Sequence, residues 1–448
     1  MKIVSSYKVK IQHYNNIFSG TVDIYRRAVA FFIDVCDKHW QVIQGLTAKK
    51  RNNYVESLTI KTIRNPNVKY DFGVNFHKMP CYLRRAAIQQ AIGAYSSYTS
   101  NLTNWENSDK KGKKPTLTTA RNVMPTLYKD NCYIRTSTNT CKVKIFHKSD
   151  WIWLNVHLRE QDIKYIDKNC RLSKELVPTL KKQGKMWFLT FPFEENTKLA
   201  DVAISQKNIC AVDLGLNNNA VCSIMRSDGT VVARKFVNLA TEKDHLQKAL
   251  NRQKKAQQNG NKKTPIKWQH VNDLNTDISR KTAKSIIDFA TLHKADTIVF
   301  EYLDMKGKKK GSKRQLLHLW RKREIQKLVE HKAHKLGTRI SRVNAWNTSR
   351  LAYDGSGRVE RGEYKIDRVK KYNSICVFAS KKVYNCDLNA SYNIGSRYFI
   401  REILKSDPVM VRLPNETKVF RFGTGTTRTL STLIRLNAEL QECPVQVA

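Results

Sequence analysis

Acids are scarce in this chain. Only 38 aspartates and glutamates stand against 81 lysines and arginines in 448 residues, a formal net charge of +43. Long apolar runs are missing as well. No stretch approaches the ~18 uncharged apolar residues that a membrane span needs. The opening MKIVSSYKVKIQHY has no apolar signal core, so secretion is not expected and a cytoplasmic place is. The ten cysteines fall at 36, 81, 132, 141, 170, 210, 222, 376, 386 and 443, and none forms a C-x-x-C pair. The strong zinc signature is therefore absent. Free, mostly buried thiols in a reducing compartment are the expectation.

What is present excludes disorder. Apolar residues make up 41% of the chain, enough to build cores, whereas disordered chains combine high charge with low hydrophobicity. The length suggests about three domains of ~150 residues. A net charge this large repels itself, and a polyanion partner offsets it by releasing counterions from its phosphates. The positive charge spreads over the whole chain rather than one amphipathic helix, which favours nucleic acid over a membrane surface.

Residues 3–12 read as a strand. From about 20 to 130 the pattern is helical, with Tyr25, Ala28, Phe31 and Phe32, then Leu83, Ala87, Ala91 and Tyr95, at helical spacing. Short strands follow at Cys132–Thr136, Lys142–His147, Trp151–Leu158 and Lys185–Phe193, as in a small β-barrel or sandwich. The helical block then lies inside that barrel as an insertion. After about residue 201 the texture changes. Asn208–Met225 holds two apolar strands, and Asp228-Gly229 turns the second into Thr230–Val237. Basic helices are expected at 240–258 and 266–293, a buried strand at Asp296–Tyr302, a helix at 314–336, a strand at 338–345 and a helix at Asp387–Ile403. Residues 348–385 read as irregular, and 406–448 match no pattern.

Three carboxylates stand out by context. Asp213 ends the apolar strand ICAVD, Glu301 ends TIVFE, and Asp387 begins a helix in NCDLNASYNI. Acids arriving from two strand ends and a helix start can converge. Clustered carboxylates repel and normally hold hard cations such as Mg²⁺ or Mn²⁺. Each has a plainer explanation alone: a turn residue for Asp213, a salt-bridged surface acid for Glu301, a helix N-cap for Asp387. Asp228 is as conspicuous, yet a turn role explains it fully.

The ordered set resembles the RuvC-type nuclease domain of transposon-encoded TnpB proteins and compact type V CRISPR effectors. Val212-Asp213-Leu214-Gly215-Leu216 is similar to the first motif of that family, and Ile298-Val299-Phe300-Glu301 to the second. Asp387-Leu388-Asn389-Ala390-Ser391-Tyr392-Asn393-Ile394 is similar to the third, and His331–Thr348, ending in Thr348-Ser349, to the helix–Gly–strand segment between them. The resemblance implies a multidomain α+β protein. It places an RNase H-like (RuvC) domain at 201–347 and 386–405, an insertion at 348–385, a wedge β-barrel at 1–18 and 131–200, a helical recognition domain at 19–130, and a tail at 406–448. It further implies an RNA-guided DNA endonuclease. Asp213, Glu301 and Asp387 would hold two Mg²⁺ ions, and products would carry 5′-phosphate and 3′-hydroxyl ends. Guide RNA and double-stranded target DNA are the implied partners, the protein acting as a monomer or homodimer in a prokaryotic, nucleoid-associated setting.

The insertion departs from the family, whose zinc-binding cysteine pairs are missing. We expect no structural zinc, and packing instead among Tyr353, Tyr364, Tyr372, Val377 and Phe378. His331 and His334 fit a packed helix and are assigned no metal. Lys306–Arg314 follows Glu301 directly, and its Lys308, Lys309, Lys310, Lys313 and Arg314 suit phosphates entering the site, as a lid would. Lys254, Lys255 and Arg280 on the basic helices have too few acids to pair with and suit a nucleic-acid backbone. Trp151, Trp153 and Trp187 are candidates for base stacking, although strand spacing favours a core role for Trp153 and Trp187. Three other functions remain open from the residues: an RNA-guided repressor with little cleavage, a guide-independent RNase H-fold nuclease such as a resolvase, and a non-enzymatic RNA-binding protein.

Overall fold

The structure is a computed structural model that describes residues 1–12, 16–110, 112–261, 263–302, 321–361 and 374–442. It divides into two compact units, Lys2–Glu195 and Asn196–Ala448, with Met1 counted with the second. Among the described residues no helix is long and apolar enough to cross a membrane.

The first unit begins with strand β1 (Lys2–Lys10), followed by helices α1 (Ser19–Gln44), α2 (Ala48–Thr59), the single turn α3 (Phe72–Asn75) and α4 (Cys81–Glu106). The helical spacing read from the sequence fixes the buried stripes. Tyr25, Val29, Phe32 and Cys36 line one side of α1, and Leu83, Ala87, Ala91 and Tyr95 line α4. The two helices meet where Tyr95 donates to Asp37 at 2.7 Å. Next come β2 (Tyr133–Arg135), β3 (Thr140–His147), β4 (Asp150–His157), helix α5 (Glu160–Cys170), β5 (Lys174–Glu175), β6 (Thr179–Gln183) and β7 (Met186–Asn196).

These strands do not close into the expected barrel. They form two open sheets, β2-β3-β4 and β1-β7-β5 with β6 also on β7. Among the described residues the backbones of the two sheets meet at their ends, as at the Ile11–Leu158 bridge, and side chains such as Tyr133 and Phe191, 5.7 Å apart, pack between them, but no continuous ladder runs around. Helix α5, absent from the sequence reading, interrupts the strand series and buries Ile163, Ile166 and Cys170 where a further strand would lie in the chain.

The second unit is built on one five-stranded sheet in the order β10-β9-β8-β11-β12. Its strands are β8 (Ile209–Asp213), β9 (Ala220–Met225), β10 (Val231–Val237), β11 (Thr297–Tyr302) and β12 (Arg339–Asn344). Pairing is antiparallel from β10 through β9 to β8, and parallel from β8 through β11 to β12. Asp228 does the expected turn work between β9 and β10, accepting from the amide and hydroxyl of Thr230 at 2.8 Å each.

The period of two in β8 sorts its residues between two cores. Cys210 and Val212 pack under helix α7 (Pro265–Leu292) and the helix Lys322–Lys335, through Ala283, Ile286, Ile325 and Val329. Ile209 and Ala211 pack under the helix Cys386–Ser406 and the C-terminal helix Leu430–Glu442, through Ile394, Phe399 and Leu433. Helix α6 (Ala240–Gln258) lies on α7 through Ala249, Leu250 and Val271. The segment after residue 406, which matched no pattern, carries helices Pro408–Arg412, Asn415–Phe422 and Leu430–Glu442.

Candidate functional site

Strands β8 and β11 pair from Ile209 with Thr297 to Val212 with Phe300. One residue beyond, each strand offers a carboxylate, Asp213 and Glu301. Asp213 follows Ala211 and Glu301 follows Val299 on the same side of the pleat, and Ala211 and Val299 belong to the core covered by the helix Cys386–Ser406. That helix carries Asp387 in its first turn. The alternation that buries the strands thus points two acids at the helix end that brings the third.

Asp387 is not the cap of its helix. Asn385 takes that role, accepting from the amides of Asp387 and Leu388 at 3.0 Å each. The Asp387 carboxylate is left to accept from Asn218 Nδ2 at 3.0 Å. Asn218 lies in the turn after β8, where Gly215 has no room for a side chain: a Cβ there would stand 2.8 Å from the Asn218 carbonyl oxygen.

Burial pushes the Asp213 carboxyl well above the usual range, and the negative charges of Glu301 and Asp387 push it further; Arg361 opposes them. Glu301 is also raised by burial, against the pull of the Thr348 hydroxyl, Arg397 and Lys322. Asp213 therefore lies within the field of the other two carboxylates. Three carboxylates are the donor set that suits Mg²⁺ or Mn²⁺. As the side chains stand, no group of three or more His, Cys, Asp or Glu among the described residues forms a ready-made metal cage.

A second set of residues was given no role from the sequence. Asn389, Asn393, Arg397 and Arg401 recur every four residues along the Cys386–Ser406 helix and pin the segment that leaves β12. Asn389 Nδ2 donates to the carbonyl of Leu351 at 2.8 Å and Asn393 Nδ2 to that of Thr348 at 2.9 Å. Arg397 donates to the carbonyls of Asn344 and Trp346 at 2.8 Å each, and to Thr426 and Arg428 at 3.1 Å each. Arg401 reaches the carbonyl of Arg342 at 2.9 Å. Burial lowers Arg397 to about 10, with Glu301 acting in the opposite sense. Polar residues at four-residue spacing inside an otherwise apolar helix were the available signal.

Of the other candidates, Lys254, Lys255 and Arg280 are exposed, on α6 and α7, with no ion pair among the described residues. Lys308, Lys309, Lys310, Lys313 and Arg314 lie outside the described residues, as do Tyr364 and Tyr372. Trp151 is half-buried against Phe146, with ring centroids 5.3 Å apart. Trp187 is a core residue, as expected, with Phe18 at 5.3 Å. Trp153 is not: it is 38% exposed and lies under Lys144, because its side of the β3–β4 hairpin faces outward. In the insertion, Tyr353 meets Phe378 at 5.5 Å, and the thiols of Cys376 and Cys386 are buried, Cys376 donating to the carbonyl of Tyr384 at 3.4 Å. A cavity of about 320 Å³ opens beside the Gly215 turn, lined by Leu216, Asn217, Lys243, Leu250 and Ser279 among others.

Comparison with known proteins bears on the family and the fold. The Aq_aa04 family profile matches residues 5–147. An uncharacterized protein of Aquifex aeolicus (strain VF5), aq_aa04, is 33% identical over 123 residues, 24% of this chain and 68% of the relative. The TnpB-like protein aq_aa05 of the same strain is 27% identical over 236 residues, 47% of this chain and 74% of the relative. Two solved structures share the mixed α+β multidomain fold. One is a Cas12f1–sgRNA–target DNA complex, with a TM-score of 0.50 and 14% identity, covering 84% of this chain and 81% of that one. The other is the mini-RNA-guided endonuclease CRISPR-Cas_phi3, with a TM-score of 0.51 and 9% identity, covering 88% of this chain and 92% of that one. The chain thus belongs to the Aq_aa04 family, and over about half its length it is similar to a TnpB-like protein.

Proposed function

We propose that this chain is a compact RNA-guided DNA endonuclease. Guide RNA pairs with double-stranded target DNA beside a short flanking motif, and one RuvC-type site at Asp213, Glu301 and Asp387 hydrolyses phosphodiesters. The observation that carries the reading is the meeting of two parallel strand ends with the first turn of the covering helix, each contributing a carboxylate. The strand order β10-β9-β8-β11-β12 with helices on both faces supports an RNase H-like domain. Two Mg²⁺ ions held by these carboxylates, or Mn²⁺ in their place, would supply a positioned water and a stabilised leaving oxygen. The chain itself contributes the placement: Asn218 orients Asp387, and the sheet register sets Asp213 beside Glu301.

In this reading residues 19–130 cradle the guide–target heteroduplex by its A-form shape, and 1–18 with 131–200 hold guide RNA. Lys254, Lys255 and Arg280, the lysines and arginine of 308–314, and Trp151 contact nucleic acid. The 348–385 insertion sits without zinc. The test has two parts. RNA that co-purifies with the protein, expressed with its flanking DNA, is sequenced; one discrete locus-derived RNA with a variable end is expected. Asp213→Ala then abolishes guided cleavage and leaves the RNA affinity unchanged. Cleavage that survives this substitution overturns the acid site, and a wild-type complex that binds its target without cutting turns the reading to a guided repressor.

A further inference from the structure

Glu301 is the most enclosed of the three acids, 8% exposed, and something must choose its side-chain direction. Its backbone carbonyl is fixed by Gln326 Nε2 at 3.0 Å, which holds the strand but not the carboxylate. The carboxylate is gripped at one oxygen only: Thr348 Oγ1 donates to Glu301 Oε1. Among the described residues no hydrogen bond reaches Oε2. Two cations, Arg397 and Lys322, attract the same carboxylate and would draw it aside if it were released.

We propose that Thr348 is a positioning residue that aims Glu301, holding one carboxylate oxygen so that the other faces the cation shared with Asp213 and Asp387. This rests on the nuclease reading above. A hydroxyl has one proton. Thr348 Oγ1 also lies 3.0 Å from the carbonyl of Ala345, but a carboxylate oxygen is the stronger acceptor of the two, so the proton goes to Glu301. Thr348 is itself immobilised. It is 2% exposed, its carbonyl accepts from Asn393, and the two residues Asn344 and Trp346 before it are tied to Arg397. Partners that orient a metal-binding carboxylate typically matter by 10–100-fold in metal affinity or activity.

The test removes the hydroxyl and keeps the shape. Thr348→Val, Thr348→Ser and wild type are loaded with the co-purifying RNA. Mn²⁺ binding is titrated by electron paramagnetic resonance, with Asp213→Ala as the blank. Target cleavage, RNA affinity and the melting temperature are measured in parallel. We expect Thr348→Val to weaken Mn²⁺ binding and slow cleavage by about 10–100-fold. RNA affinity and melting should not change, and Thr348→Ser should restore both losses. Wild-type metal binding and cleavage in Thr348→Val overturns the proposal and leaves the nuclease reading standing. Loss of the fold in both Thr348→Val and Thr348→Ala makes the hydroxyl a structural tie, which overturns it too. A wild-type protein with neither Asp213-dependent Mn²⁺ binding nor cleavage removes the nuclease reading and this proposal together.

Discussion

The two faces of the five-stranded sheet are covered by helices of different kinds. Under α7 and the helix Lys322–Lys335 an apolar cluster forms the contact, Val212, Ile224, Ile298 and Phe300 meeting Ala283, Ile286 and Val329; of the buried polar side chains there, Ser279 and Thr282 bond within their own helix and Gln326 reaches the Glu301 carbonyl. Under the helix Cys386–Ser406 the buried residues include Asn389, Ser391, Asn393, Ser396 and Arg397. Each of the two asparagines and the arginine is bound to backbone carbonyls of the segment after β12. An apolar face can be repacked in several ways, because dispersion and burial are not directional. A buried ladder of donors accepts one arrangement, since any donor out of place is left unsatisfied. Both acids at the strand ends lie on the ladder side. One face holds the sheet together, and the other fixes where the acids stand.

The sharpest break of that contrast is Arg397→Met. It keeps much of the volume but strips four carbonyls of their donor, and should lower stability by about 3 kcal/mol or more in urea unfolding. Gly395→Ala is next. A Cβ there would stand 2.9 Å from Met225 Sδ and 3.3 Å from Ala211 Cβ, lifting the helix from the strands that carry the first acid. A loss of about 1–3 kcal/mol is expected, with cleavage falling more than stability alone explains. On the other face Ile286→Val should cost about 1 kcal/mol and leave cleavage untouched. An equal catalytic loss from Ile286→Val would erase the distinction between the faces.

The smallest effect is in pH. In the folded protein Asp213 holds its proton to higher pH than in the unfolded chain. Below the ordinary carboxylate range both states are protonated and the site contributes nothing. As pH rises the unfolded chain ionises first, so stability falls until the raised folded value is passed. Metal-free Asp213→Asn should therefore melt higher than wild type at neutral pH, by roughly 1 kcal/mol of stability, and equally near pH 4. Added Mg²⁺ should raise the melting temperature of wild type alone. A wild-type protein whose metal-free stability does not fall between those pH values contradicts the crowding of the acids.

Much of the apolar face was legible from the sequence. The apolar strands ICAV and TIVF were read from composition, α6 and α7 were expected as basic helices, and Asp-Gly marked the β9–β10 turn. The three acids were legible as a set because each terminates or opens an apolar element. The ladder was not, because Asn389, Asn393 and Arg397 look like ordinary polar residues until a partner backbone appears beside them. The plainer alternative for Asp387, a helix cap, falls to Asn385, whose side chain accepts from the amides of Asp387 and Leu388 and leaves the Asp387 carboxylate to Asn218. Trp153 was misplaced because strand alternation gives two faces without saying which is wet. The barrel was over-read because short strands in series do not reveal whether the last one meets the first.

Arg397 has one further consequence, in the order of events during synthesis. Its four acceptors come from residues 344 and 346, already made when the helix emerges, and from 426 and 428, made afterwards. A nascent chain can pair its strands and lay down the helix, yet the guanidinium stays half-satisfied until the last segment arrives. At about 5–20 residues per second that interval lasts seconds. Throughout it the helix that carries Asp387 lacks part of its anchoring, so the frame around the three carboxylates is complete only once residues 426 and 428 have been made.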